Sequence, residues 1–231
     1  MRYYPRVYDA LFSDPEGMSQ YHRFLVELGV SGPLLDVACG SGDLLLLLQE
    51  KLASDGLDID EVMLSQAAQK GVKGELFQRD FTLPWDIDKQ YQTVLCLGDS
   101  LNYLSSLDQI RAFFNEVMKH LGSDGRFVFD MHSKDRLDEF EEEYLEEAVV
   151  DDLALTWSVN TVQNQLVHRF YFYDGKDYPS IEEVVQTVFA SEEIEALLEE
   201  VGFKFRVVTD FSLAGYQVGE KYFYICERGI K

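Results

Sequence analysis

Residues 34–48 read LLDVACGSGDLLLLL. An apolar run passes Asp36, crosses a loop holding Gly40 and Gly42, meets Asp43 and restarts as a leucine-rich stretch. A strand, a glycine turn and a helix amino terminus leave backbone N–H groups aimed at a polar guest. Phosphate is the usual guest, and a dinucleotide loop would read G-x-G-x-x-G. Here the third glycine position holds Leu45. Asp36 and Asp43 beside the loop would also oppose a pyrophosphate.

Acids at this place suit a ligand that carries an ammonium group and a sulfonium, such as S-adenosylmethionine (SAM). Its carboxylate can still use the helix N-terminus. GLDID at 56–60 ends a strand in Asp58 and Asp60, about 20 residues after the loop, where an acid can hold ribose hydroxyls. Such an acid does not separate SAM from NAD, and a strand-end aspartate can equally cap the next helix.

Ligands of open α/β sheets bind outside the carboxyl ends of the strands. That rule selects Asp99, Ser100 and Asn102 after one strand and His132, in FDMHS, after the next. His132 is the candidate general base; the alternative is a histidine hydrogen-bonded within its loop. Asp99 either binds substrate, holds the SAM amino group or forms a turn. His120 lies near a helix C-terminus, where a cation is favourable anyway. His22 and His168 have no partner visible in sequence.

The elements that must position these groups alternate. Apolar spacing predicts helices over 18–29, 42–53, 61–70 and 107–121, and strands over 33–38, 54–59, 73–78, 93–97 and 125–131. Alternating strands and helices predict a parallel sheet covered on both faces. The acidic stretch 134–147 reads as helix. Residues 148–190 read as three extended segments, an antiparallel insertion. Ser191 is the expected N-cap of a last helix ending at Gly202, and two strands close the chain as a hairpin.

In this order the motifs resemble those of class I SAM-dependent methyltransferases. D-V-A-C-G-S-G at 36–42 is similar to their first motif, with Ala38 where many members have glycine. The resemblance implies an α/β fold with a Rossmann-like seven-stranded mixed sheet, its last strand antiparallel, helices on both faces and a small antiparallel β insertion. It implies cofactor contacts from Asp36, Ala38, Gly40, Gly42, Asp58, Ile59, Met63, Asp80, Phe81, Leu97, Gly98 and Asn102, with SAM as cofactor and S-adenosylhomocysteine as product. Met63 would pack on the adenine and Asp80 would meet its amine. In small-molecule members a Tyr-Asp near the start folds over the cofactor, which makes Tyr8 and Tyr3 lid candidates and places Tyr8 with His132 and Asp99 among the catalytic candidates. The core is expected over 1–133 and 191–231, with 134–190 an insertion or lid over the acceptor site.

HRFYFYDG at 168–175 puts Phe170 and Phe172 on one strand face and Tyr171 and Tyr173 on the other, with Trp157 on a neighbouring strand. One set packs in a core; the other can cover an amine or aromatic substrate, since acids and aromatic faces favour cations.

The formal net charge is −22, from 42 acidic and 20 basic residues. Polyanion binding needs a basic footprint, so nucleic acid is not the expected partner. No N-P-P-Y-type motif or Pro-Cys nucleophile argues for base methylation. Cys39, Cys96 and Cys226 are too scattered for a disulfide framework or a zinc site. No signal peptide or membrane span is apparent, and a cytoplasmic protein is expected, monomer or homodimer. The expected function is SAM-dependent methyl transfer to a nitrogen or oxygen of a small molecule. The alternatives are a non-catalytic module that binds SAM or S-adenosylhomocysteine, and an NAD-dependent oxidoreductase.

Overall fold

A computed structural model describes residues 3–12 and 14–229. In chain order the elements are α1 (Tyr4–Phe12), α2 (Pro15–Leu28), β1 (Leu34–Val37), α3 (Asp43–Leu48), β2 (Ser54–Asp58), α4 (Glu61–Lys70), β3 (Leu76–Gln78) and β4 (Tyr91–Cys96). A 3-10 turn over Ser100–Tyr103 leads to α5 (Leu107–His120), β5 (Leu121–His132) and α6 (Asp135–Glu139). Four strands follow: β6 (Tyr144–Val150), β7 (Leu153–Val162), β8 (Gln165–Tyr173) and β9 (Ser180–Thr187). The chain ends with α7 (Ser191–Val201), β10 (Phe203–Thr209), β11 (Leu213–Ala214) and β12 (Lys221–Arg228).

The main sheet runs β11-β10-β12-β5-β4-β1-β2-β3. Its β1 to β5 pairings are parallel, and β12 inserts antiparallel between β5 and β10. These are the seven expected strands plus the two-residue edge ribbon β11. The central strands are buried on both faces apart from the exposed Gln92 of β4, as expected of a parallel sheet covered by helices. Phe113 and Phe114 of α5 and Leu197 and Leu198 of α7 pack on one face. Phe24 and Leu25 of α2 and Leu44 and Leu45 of α3 pack on the other. Because these strands are parallel, the carboxyl ends of β1, β2, β4 and β5 lie along one edge, and the strand order reverses between β1 and β4.

Capping fixes the helix starts close to where they were expected. Asp14 accepts the Glu16 and Gly17 N–H groups at the head of α2, and Gly29 closes it in the left-handed region. The leucine helix is shorter than the expected 42–53, ending at Leu48 with only irregular turns to Leu52. At α7 the N-cap is Ala190, not Ser191; the Glu193 carboxylate accepts the Ala190 N–H and satisfies that end.

The insertion is a separate antiparallel sheet of four strands, β6-β7-β8-β9, where three segments were expected. The first expected segment folds back on itself at Asp151, whose φ of 55° suits a short polar turn residue. The acidic stretch expected as helix supplies only α6; Tyr144 to Val150 is an edge strand paired with β7. Ladder hydrogen bonds override the helical preference of its glutamates, and charge on an edge strand blocks pairing with other chains. Among the described residues, no helix is long and apolar enough to cross a membrane.

Candidate active site

β1 ends at Val37 and the chain turns through Ala38 (φ 58°), Gly40 (φ 53°) and Gly42 (φ 82°). A Cβ on Gly42 would stand 2.9 Å from Ala67 Cβ and 2.8 Å from Val72 Cγ2, so only glycine lets the loop lie on α4. A Cβ on Gly40 would meet nothing within 4 Å. That side of the loop is open to a ligand.

Asp58, at the end of β2, faces this loop. Its Oδ2 accepts the Gly40 N–H at 2.8 Å and its Oδ1 the Asp60 N–H at 2.9 Å. Each oxygen keeps a lone pair for a hydroxyl donor. Asp60, the second ribose candidate, instead caps α4 by accepting the Val62 N–H at 2.8 Å. Burial raises the Asp58 carboxyl against the opposing N–H bonds. Burial, with the Asp58 charge next, pushes Asp36 up to about 7. Next to Asp58, Ile59 is 63% exposed, an apolar wall without a protein partner, and Met63 lies buried a turn away. Asp80 Oδ1 accepts the Thr82 N–H and hydroxyl at 2.9 and 2.7 Å, and the Phe81 ring turns into the core against Phe113. Open loop backbone, an acid with lone pairs to spare and an exposed apolar side chain fit a nucleoside carrying positive charge.

At the ends of β4 and β5 a second cluster forms. Leu97 is buried, Gly98 takes a φ of 74°, and Asp99 follows at 60°. Lys221, from the start of β12, donates to Asp99 Oδ2 at 2.8 Å, to Tyr21 Oη at 3.0 Å and to Asp130 Oδ2 at 3.4 Å. Tyr21 in turn donates to Asp130 at 2.6 Å. Burial pushes the Asp99 carboxyl up, but the Lys221 ammonium opposes it and the carboxyl stays below the ordinary carboxylate range. Asp130, wholly buried, is raised.

His132 Nδ1 lies 3.5 Å from Asp99 Oδ1, and both atoms are buried without a hydrogen-bond partner. Its Nε2 lies 3.1 Å from Gln186 Oε1 of β9. Asn102, expected among the cofactor contacts, is fully buried with its side chain otherwise engaged. Its Nδ2 donates to the Thr187 carbonyl at 2.8 Å and its Oδ1 accepts the His132 N–H at 3.0 Å. It is a strut between the main sheet and the insertion.

The N-terminal helix α1 lies between the two sheets. Tyr4 meets Phe170 at 5.0 Å between ring centroids, and Phe12 meets Trp157 at 5.2 Å. Burial raises the Tyr8 phenol, with Tyr103 and the charges of Asp99, Asp9 and Asp58 adding to it. Tyr3, the other lid candidate, is buried against Phe172 and donates to Asp174 at 2.6 Å, at the far end of β8 from His168. Asp9 pins α1 to the glycine loop: it accepts the Ser41 hydroxyl at 2.7 Å and pairs with Lys70 at 2.7 Å, which also reaches Asp43 at 2.8 Å. In the insertion, Phe170 and Phe172 form the inner face with Trp157, whereas Tyr171 and Tyr173 lie on the outer one. His120 is a half-buried histidine, stacked on Trp85 at 4.8 Å with its ring nitrogens at the Glu116 and Ile87 carbonyls.

Sequence reasoning missed Lys221, Asp130, Tyr21, Gln186, Asp9 and Lys70. Their partners lie up to 200 residues away in the chain, so no local spacing marks them. A lone lysine heading an apolar strand was the one available sign.

A mixed sheet with β12 turned antiparallel beside β5, and a glycine loop facing a ribose-type acid, defines the class I methyltransferase architecture. A methyltransferase domain model matches residues 34–125. YqeM of Bacillus subtilis (strain 168), a methyltransferase by name, is 30% identical over 89% of this chain and 87% of its own length. The chain belongs to this methyltransferase family. Among solved structures, a S-adenosylmethionine-dependent methyltransferase from Clostridium acetobutylicum ATCC 824 superposes with a TM-score of 0.82 at 23% identity, covering 97% of each chain. SAM-bound CalS10, an amino pentose methyltransferase from Micromonospora echinaspora, gives 0.69 at 19% identity, again over 97% of each. At such identities the likeness shows the fold.

Proposed function

We propose that the protein transfers the methyl of SAM to the nitrogen of a small-molecule amine, with His132 as general base and the insertion as a lid over the acceptor. The observation that carries this is the facing pair of His132 Nδ1 and Asp99 Oδ1, 3.5 Å apart, both buried and unpaired. Two bare acceptors in a low-dielectric site call for an N–H donor or a proton between them. An amine supplies both.

Bound SAM offers an electrophilic methyl on a sulfonium and leaves as S-adenosylhomocysteine. Asp58 would hold the ribose hydroxyls, Ile59 and Met63 would flank the adenine with Asp80 at its amine, and the Gly40–Gly42 backbone with Asp36 would take the amino acid end. Leu97 and Gly98 would line the methyl side. Asp99, kept ionised by Lys221, orients the acceptor nitrogen through its N–H. His132 Nδ1 takes the proton that nitrogen loses as its lone pair bonds carbon, and the imidazolium formed pairs with Asp99. Tyr8, Trp157 and Phe170 enclose the site and exclude water. Alignment does most of the remaining work, since methyl transfer is an in-line displacement. That CalS10 is an amino pentose methyltransferase supports an amine-bearing acceptor. The acidic surface supports a small molecule over nucleic acid.

The test begins with calorimetry against SAM, S-adenosylhomocysteine and NAD, with Asp58→Ala as control. Incubation with SAM and a panel of amino sugars and simple amines follows, scored by mass spectrometry for methylated product. Micromolar SAM binding and a methylated amine are expected, with turnover lost in His132→Ala and SAM affinity kept. NAD binding without SAM binding would overturn the reading. SAM binding with no product from any amine would leave a binding module in its place.

A further inference from the structure

The insertion touches the proposed base through a chain of hydrogen bonds whose direction is fixed at one end. Trp157 Nε1 lies 3.2 Å from His168 Nδ1. An indole nitrogen only donates, so His168 Nδ1 must accept. A neutral His168 then carries its proton on Nε2, which donates to Gln186 Oε1 at 3.1 Å. Burial supports the neutral form, lowering His168 to about 4. Gln186 must therefore present its carbonyl rather than its amide nitrogen at this point. The same Oε1 lies 3.1 Å from His132 Nε2, which must donate as well. This leaves Nδ1 of His132 bare, on the side that faces Asp99.

We infer that Trp157, His168 and Gln186 are positioning residues that set the tautomer of His132, so that its basic nitrogen is always the one turned toward Asp99 and the acceptor. The inference rests on the reading of His132 as the base. The order of the bonds gives each residue a distinct task. Trp157 starts the chain because it cannot accept. His168 passes the polarity on, and Gln186 serves two rings with one carbonyl. With the indole N–H removed, His168 can flip its proton and Gln186 can turn its amide, and His132 is then free to hold its proton on either nitrogen. The wrong tautomer presents Nδ1–H to the acceptor and takes no proton. Trp157 thus has a polar task besides its contact with Phe12, and the insertion reaches the chemistry without touching the reacting atoms.

The experiment is long-range 1H–15N NMR of the full chain labelled at histidine, without cofactor, at the alkaline end of the folded pH range. Wild-type His132 should show a protonated Nε2 and a bare Nδ1, with widely separated nitrogen shifts. In Trp157→Phe and in Gln186→Leu those two shifts should move toward each other as both tautomers become populated. Gln186→Glu, which keeps an acceptor for both rings, should restore the wild-type pattern. It should also raise the midpoints of both histidines by about one pH unit or more, against the existing field of Asp99, Asp130, Lys221 and Arg136. A wild-type His132 protonated on Nδ1 overturns the inference. So does an unchanged His132 pattern in either Trp157→Phe or Gln186→Leu, with circular dichroism confirming that the variants are folded. SAM calorimetry on the same samples reports on the methyltransferase reading separately, because the tautomer is read with no substrate present.

Discussion

The parallel core and the antiparallel insertion each bury an ionisable side chain beside the site, and they do so with opposite effect. In the core, burial and the neighbouring Asp58 push Asp36 up to about 7, so the folded chain holds that proton more tightly than the unfolded chain. In the insertion, burial lowers His168 to about 4, so the folded chain refuses a proton that the unfolded chain accepts. Under the proposed function, the core side offers a carboxyl on which a ligand cation would replace a proton. The insertion side is prepared to stay neutral and pass hydrogen-bond direction. Two halves of one cleft therefore respond to pH in opposite directions.

The sign of each effect follows from linkage. The contribution of Asp36 is fullest below about pH 4 and is lost as pH rises through about 7. That of His168 is fullest above about pH 6.5 and is lost as pH falls toward about 4. The two slopes oppose each other over most of the same window. Asp36→Asn gives the largest expected effect. Urea unfolding at a series of pH values should show up to about 4 kcal/mol less decline between pH 4 and 7 than wild type. A difference curve without slope would break the comparison on the core side.

His168→Gln should give the mirror image, a loss of up to about 3 kcal/mol of pH dependence, appearing as improved relative stability toward pH 4. If both variants move the curve the same way, the two regions are not opposed. Asp58→Ala sharpens the contrast by ligand rather than proton. Removing two hydrogen bonds to a charged group should weaken SAM about 100-fold by calorimetry, while the His168 resonances stay in place. Ala38→Gly is the smallest. Relieving the left-handed backbone at Ala38 should raise stability by about 0.5–1 kcal/mol, after the extra chain entropy of glycine is subtracted. A loss in the urea midpoint instead would mean that the Ala38 methyl packs usefully.

This division also explains what the sequence revealed. The core is built from local patterns: an apolar strand, two glycines where φ is positive, an acid at the next strand end. Each is legible within about 20 residues, and Asp58 and the glycine loop came together as their spacing implied. The insertion is held by pairing between strands, and there local preference misled. The glutamates before Tyr144 favour a helix, yet the ladder with β7 takes the last of that stretch. The turn at Asp151 was hidden inside an apolar-looking segment because aspartate adopts that backbone without glycine's help. His168 alternates with Phe170 and Phe172, so the pleat placed it on the inner face, but nothing local pointed to Gln186 or Lys221. Asn102 shows the converse: a residue within a local motif turns its side chain to a partner 85 residues away.

The docking of α1 has a consequence in time. The backbone N–H groups of Tyr3 and Tyr4 bond to Glu182, 179 and 178 residues further along. During synthesis at about 5–20 residues per second, the N-terminal helix leaves the ribosome roughly 9–36 s before its partner sheet exists. Closing so long a loop is also entropically late in refolding. The glycine loop and Asp58 can assemble from residues made early, but the Asp9 clamp over them gains its support only once β9 has been made. A nascent chain would pass through a stage in which the glycine loop and Asp58 are formed before α1 is docked beside them.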